Sequence, residues 1–228
     1  ARFKWYTDLG LKKENLHFRE HAKDELAHYA KGCVDVEYKF PFGSGDWQEL
    51  EGIHNRTDFD LSSHMKASGT ELSYFDEETK ERFIPHIVET SAGLARQFLM
   101  FIDNAYQEEQ TDGGDTRVFL KLHPALAPIK CAVFPLLKNK PELVGKAREV
   151  FLSLRTKFMC EFDDNGNVGK RYRRQDEIGT PFCVVIDFDT LGENPELLDT
   201  VTVRDRDTGK QERVAIADLE SYIQTRLQ

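Results

Sequence analysis

Residues 85–96 read Pro85-His86-Ile87-Val88-Glu89-Thr90-Ser91-Ala92-Gly93-Leu94-Ala95-Arg96. With Ile84, the apolar Ile87 and Val88 open a strand-like run that carries Glu89 and Ser91 two residues apart, hence on one face of an extended chain. Gly93 breaks the run. Leu94, Phe98, Leu99, Phe101, Ile102, Ala105 and Tyr106 then recur at helical spacing, which predicts a helix from about 94 to 109 with Arg96 in its first turn. Strand, break and helix together set a carboxylate, a hydroxyl and a guanidinium along one short wall. Such a wall suits a small cation at one end and a phosphate at the other.

Upstream, residues 34–40 (Val-Asp-Val-Glu-Tyr-Lys-Phe) alternate strictly and predict an antiparallel strand with one wet face. Pro41, Gly43, Ser44 and Gly45 predict a turn, and residues 47–53 a second strand, the hairpin partner of the first. Residues 23–31 have helical character, residues 55–61 are polar, and 62–82 read as loop with little core. Residues 83–91 form the motif strand, and Asp112-Gly113-Gly114-Asp115 reads as an exposed turn. A different pattern begins near His123: apolar strand runs at 129–137 and 181–188, and helices at 141–158 and 217–227. A turn is expected at 163–167, and strands at 200–205 and 211–214 flank the Asp207-Thr208-Gly209-Lys210 hairpin turn. Strands with one wet face and helices over residues 1–122 predict an α+β part, and strands alternating with helices from about His123 predict a compact α/β unit.

A hydrophobic content of 39%, with 16 Phe, is enough for real cores. No apolar stretch approaches the ~20 residues needed to span a bilayer, and no signal peptide opens the chain. The chain starts at Ala1 in what reads as a structured segment, so a piece of a longer, cytoplasmic protein is expected. Cys33, Cys131, Cys160 and Cys183 form no CxxC pair; free thiols in a reducing compartment are expected, and a structural zinc is not. His54, His64 and His86 show no metal-ligand spacing and read as packing or surface residues. The net charge of −9 argues against nonspecific nucleic-acid binding. The acidic excess is concentrated in residues 1–122, whereas 123–228 are nearly balanced and concentrate cations at Lys170, Arg171, Arg173 and Arg174. An RNA contact is expected there.

Three stretches carry a family resemblance: residues 47–61 (Trp-Gln-Glu-Leu-Glu-Gly-Ile-His-Asn-Arg-Thr-Asp-Phe-Asp-Leu), residues 89–96 (Glu-Thr-Ser-Ala-Gly-Leu-Ala-Arg) and residues 169–181 (Gly-Lys-Arg-Tyr-Arg-Arg-Gln-Asp-Glu-Ile-Gly-Thr-Pro). In this order the chain resembles the C-terminal part of glycyl-tRNA synthetases of class II, with residues 85–96 resembling that class's third signature motif. The resemblance implies the end of a catalytic domain over 1–122, part of a class II antiparallel sheet with helices, and a mixed-sheet α/β anticodon-binding domain over 123–228. It implies formation of glycyl-adenylate from glycine and ATP, then transfer to tRNA(Gly), in a homodimeric protein with no tightly bound cofactor and no membrane partner.

By resemblance, Arg96 and Glu49 are the catalytic residues. ATP would lie along Glu49, Leu50, Gly93, Leu94, Ala95 and Arg96, with Mg2+ on Glu49 or Glu51, which two-residue spacing puts on one strand face. Glycine would lie against Glu89, Thr90, Ser91, Ala92 and Gly93, Glu89 taking its ammonium and Ser91 narrowing the space at its α-carbon. Arg56, Asp58 and Asp60 read as an ion-pair lattice supporting the site. Arg171, Arg173 and Arg174 would meet RNA phosphates and Tyr172 stack on a base; the alternative is a solvated loop whose arginines pair with its own acids. Ala95 departs from the Asp common before the motif arginine, and the first and second class II motifs do not occur, so these residues alone are not expected to form an adenylate. The competing reading is a synthetase paralogue that binds tRNA without catalysis.

Overall fold

The alternation of residues 34–40 is realised in the first of two units, Ala1–Asn104, in a computed structural model that describes residues 1–43, 46–111 and 113–227. Ser44, Gly45 and Asp112 lie outside the described residues, and with them parts of the two turns expected at 41–45 and 112–115. The unit opens with α1 (Arg2–Asp8), β1 (Leu16–Glu20), β2 (Gly32–Lys39) and β3 (Trp47–Asn55). It continues through α2 (Phe59–Ser68), the short pair β4 (Tyr74–Phe75) and β5 (Arg82–Phe83), β6 (Val88–Ala92) and α3 (Leu94–Ala105). β1, β2, β3 and β6 form one antiparallel sheet in that order. Val36, Tyr38, Phe40 and Leu50 bury one face against Tyr6 of α1 and Met100 of α3. The other face carries the polar residues of the alternation.

Three local expectations for this unit are revised. Residues 23–31 form turns rather than a helix; His28 packs edge-on and Tyr29 at a tilt against Phe59, and Arg56 lies over the Tyr29 ring at 4.2 Å. Residues 59–68, read as polar segment and loop, form α2 without a single buried residue, so no apolar stripe advertised it. Gly69 ends it in the left-handed conformation (φ 69°) that glycine adopts without steric cost. The helix expected over 94–109 stops at Ala105, because residues 106–110 pair with 116–120 instead.

That hairpin, β7 (Tyr106–Gln110) and β8 (Thr116–Leu120), opens the second unit, Ala105–Gln228, so the compact unit starts ahead of the change of pattern at His123. The rest of it is β9 (Cys131–Pro135), α4 (Pro141–Leu154), β10 (Cys160–Phe162), α5 (Val168–Ile178), β11 (Phe182–Ile186), β12 (Thr200–Asp205), β13 (Gln211–Ala215) and α6 (Leu219–Arg226). The sheet order is β10-β9-β11-β12-β13, parallel across the first three strands and antiparallel across the last three. Its apolar runs are continuous because both faces are covered. Cys131, Val133, Val184, Ile186, Val201 and Val203 pack against α4 and α6, while Ala132, Phe134, Cys183 and Val185 face Tyr172 of α5. All four cysteines are free, with Cys33, Cys131 and Cys183 buried. Among the described residues, no helix is long and apolar enough to cross a membrane.

Candidate active-site face

Cross-strand register fixes what shares the polar face of the first sheet, because directly paired residues point the same way. One row is Glu37 and Glu49. The next is Arg19, Asp35, Gly52 and Ser91. The third is Cys33, His54 and Glu89, with His21 extending it through a backbone bond from its N–H to the Cys33 carbonyl. Glu89 and Ser91 thus share a face, as their spacing requires. Glu49 stands two rows from Glu89, roughly 13 Å at ~3.3 Å per residue.

Glu49 and Glu51 do not share a face. Glu37 pairs with Glu49 and Val36 with Glu51, leaving Leu50 as an extra residue in a β-bulge. The bulge reverses parity, sends Leu50 into the core and turns Glu51 to the helix-covered side. There Glu51 is 1% exposed and accepts from Arg2 Nε and Nη2 (2.6 and 2.9 Å) and from the Tyr6 hydroxyl (2.8 Å). Burial first, then Glu51, holds the Tyr6 hydroxyl far above its ordinary range and keeps it a donor. Gln97 of α3 completes the cluster by donating to Tyr6 (2.9 Å). Glu51 is therefore an anchor for α1 and offers no free oxygen to an ion. Glu49 is exposed, and its carboxylate has no hydrogen-bond partner among the described residues.

Glu89 is held from one side only. Arg56 donates to Glu89 Oε2 (2.6 Å) and grips Asp60 with Nε and Nη2 (2.7 and 3.0 Å). The Arg56 hydrogen bonds hold the Asp60 carboxyl below its ordinary pKa. Asp58 stands outside this lattice and accepts from the Ser62 hydroxyl (3.0 Å). The clamp leaves Glu89 Oε1 without a partner among the described residues. Thr90, Ser91 and Ala92 are exposed on β6, an edge strand of the described sheet, and Gly93 is exposed just after it. Thr90 and Ala92 pair with Ile53 and Glu51 and so turn to the helix-covered side, away from Ser91.

Arg96 is exposed in the first turn of α3, one turn after Gly93, and its Nη1 donates to the Glu49 backbone carbonyl. The guanidinium therefore sits at the end of β3 beyond its pairing with β6, where it lines a cleft of about 330 Å3 with Phe40, Gln48 and Leu99. Glu49 and Arg96 are brought together at one end of β3, and Glu89 and Ser91 toward the other. Leu94, though in the expected ATP-binding stretch, is 83% exposed, and Ala95 is exposed beside it.

In the second unit, α5 corrects the expected RNA strip. Residues 168–178 are helical, capped by the Asn167 side chain on the Lys170 N–H (2.9 Å), so neighbouring side chains point about 100° apart. Arg171 is 1% exposed and donates to the carbonyls of Pro135, Asp164 (3.0 Å) and Gly166 (2.7 Å), closing the 163–167 turn. Tyr172 packs edge-on against Phe134, with Arg204 4.8 Å above its ring. Arg174 is tied to Asp163 (2.9 and 2.5 Å). Arg173 alone of the four is exposed without a hydrogen-bond or ion-pair partner among the described residues. Behind the helix, buried Asp176 accepts from Arg117 (2.8 Å) and Arg204 (2.9 and 3.2 Å), joining α5 to β8 and β12.

Residues 130–226 match the family model described as Anticodon binding domain, and the mixed α/β sheet they form is consistent with such a domain of a class II aminoacyl-tRNA synthetase. More narrowly, the chain is 53% identical over 231 residues to glycine–tRNA ligase of Thermobifida fusca, covering 100% of the chain and 49% of that protein. Glycine–tRNA ligase of Streptomyces coelicolor is 51% identical over 230 residues (99% and 49%), and that of Macrococcus caseolyticus 49% over 224 residues (98% and 46%). The chain is thus related to the glycine–tRNA ligases along its full length and spans about half the length of the curated relatives it matches.

Proposed function

We propose that the chain is the C-terminal part of a glycine–tRNA ligase, residues 1–122 closing the catalytic domain and 123–228 binding the anticodon arm of tRNA(Gly). The reading includes a cytoplasmic homodimer that uses ATP with Mg2+. The observation that carries it is whole-length identity of about half to glycine–tRNA ligases, extending through both units.

The residues on the polar face fit the chemistry. Glu89 Oε1 would accept the glycine ammonium while Arg56 keeps the carboxylate aimed. Ser91 beside it, a small side chain on the exposed edge strand, leaves a shallow floor. A substrate without a side chain is selected by excluding bulk rather than by gripping it. Arg96 would present a planar fork to phosphate oxygens and stabilise charge as the phosphate bond breaks. Glu49, exposed and unpartnered, fits as an oxygen ligand for Mg2+, which would neutralise phosphate charge; Glu51 does not. On α5, Arg173 remains for a tRNA phosphate.

Glycine-dependent ATP–pyrophosphate exchange by the full-length protein containing this chain tests the reading. Exchange with glycine and not alanine, lowered ~100-fold or more by Arg96→Ala, is expected. Tight tRNA(Gly) binding with no glycine-dependent exchange would instead favour the non-catalytic paralogue.

A further inference from the structure

We propose that the polar face of the first sheet holds one zinc ion, ligated by His21, Cys33, Asp35 and His54. Register assembles these side chains. Cys33 lies at the centre of three adjacent strands, flanked by His21 on the continuation of β1 and by His54 on β3, with Asp35 one row along on β2. The ligating atoms of His21, Cys33 and Asp35 all lie within 4.8 Å of one another. His21 Nε2 is 2.6 Å from Asp35 Oδ2, Cys33 Sγ is 3.8 Å from Asp35 Oδ1, and His54 Nε2 is 3.8 Å from Cys33 Sγ. Zinc bonds of ~2.0–2.3 Å require ligand-to-ligand separations of about 3.3–3.8 Å in a tetrahedron, so shifts on the order of 1 Å fit His21, Cys33 and Asp35, and His54, which stands outside that set beside Cys33, closes the shell by turning further inward.

Gly52 supplies an independent sign of a built site. The His54 ring lies across it, and a Cβ at Gly52 would stand 2.7 Å from His54 Nε2 and 3.5 Å from Asp35 Oδ1. Any side chain there would push the histidine off the cluster, so the missing Cβ is what lets a fourth donor turn inward. None of the four residues takes part in the Glu89–Arg56–Asp60 lattice or the Glu49–Arg96 contact.

Charge and ligand type select the metal. Two imidazoles, a thiolate and a carboxylate form a mixed N/S/O set suited to Zn2+ rather than Mg2+ or Ca2+. Binding replaces the Cys33 S–H bond by a sulfur–zinc bond and releases one proton. Ion, thiolate and carboxylate then sum to zero charge, as a site with Cys33 and Asp35 both buried requires. Metal binding and loss of the Cys33 thiol proton are therefore coupled. Arg19 Nη1, 3.6 Å from Asp35 and 3.2 Å from His21, neutralises the metal-free cluster; its Nη2 already rests on Glu25 (2.5 Å), the partner that holds Arg19 when the ion enters.

The test uses the full 228-residue chain, stripped with chelator under reducing conditions and titrated with Co2+ and then Zn2+. One Co2+ per chain with a thiolate-to-cobalt charge-transfer band, displaced by one Zn2+, is expected. Cys33→Ser should abolish the band, and His54→Asn should weaken affinity more than the ~10–100-fold lost when a group that only orients a ligand is removed. Cys160→Ser should alter neither. Should Cys33→Ser fail to fold by circular dichroism, His54→Asn carries the same reading with all thiols intact. Substoichiometric uptake, a band that survives Cys33→Ser, or His54→Asn binding as tightly as the wild-type chain overturns the proposal.

Discussion

Replacing Glu51 by Gln separates a magnesium ligand from a structural anchor. The carboxylate is almost fully buried and receives three short hydrogen bonds, two from Arg2 and one from Tyr6. Glutamine keeps the shape and one acceptor, but sets an NH2 group against a donor and leaves the guanidinium without its counter-charge. Breaking a fully buried pair costs about 3–5 kcal/mol. The Arg2 side chain is 34% exposed, so water recovers part of the loss and about 2–3 kcal/mol remains. At ~4–8 °C per kcal/mol for a domain of this size, the melting transition of the first unit should fall by about 8–24 °C. Differential scanning calorimetry of the full chain, with and without Mg2+, reads this directly, and the loss should be the same in both. A variant that melts like wild type without Mg2+ yet loses a Mg2+-dependent stabilisation would refute the anchor and restore Glu51 as a metal ligand.

Asp176→Asn should cost about 3 kcal/mol, because buried Arg204 loses its counter-charge while Arg117 keeps only the half-exposed Glu109; chemical denaturation of the second unit measures it, and a loss under 1 kcal/mol would count against the triad. Arg173→Ala should leave that unit's stability within about 0.5 kcal/mol while flattening the salt dependence of tRNA(Gly) binding, whereas Arg171→Ala should unfold the 163–167 turn; equal melting of the two variants would contradict their assigned places. The depressed Asp60 carboxyl contributes stability that is complete above its unfolded pKa of ~3.9 and fades as pH falls through its lower folded value. Arg56→Ala should return the Asp60 titration toward the ordinary carboxyl range by NMR, and an unmoved titration would show that the clamp does not govern it.

Sequence pattern was informative where one physical period governs a whole element. The alternation at 34–40 and the continuous apolar runs at 131–135 and 182–186 reflect sheets with one and two covered faces, and both sheets formed around them. The pattern was mute where an element buries nothing, as in α2, and misleading where cations crowd a helix, as in α5, whose apolar content is low because buried Arg171 and Asp176 do the packing that leucines do elsewhere. Arg171 read as surface because arginine is rarely buried unless its donors are satisfied; here backbone carbonyls of the preceding turn satisfy them, an arrangement that no local spacing encodes.

The deeper limit lies at Leu50. Counting by twos along residues 47–55 puts Glu49 and Glu51 on one face, and nothing in the residue types forbids it. The extra residue is absorbed only because Leu50 finds a place among Val36, Tyr38 and Met100, which makes burial of one leucine outweigh the regular ladder. From there every downstream position of β3 changes side: Gly52 and His54 arrive on the polar face with Ser91 and Glu89, and Glu51 goes under α1. Without the bulge, Ile53 would face the solvent row and His54 the apolar core, and neither Gly52 opposite Ser91 nor the histidine beside Cys33 would stand on the polar face. The candidate site is therefore specified by the core beneath it as much as by its own polar residues, so a change confined to Leu50 should disorder the polar face without touching any group on it.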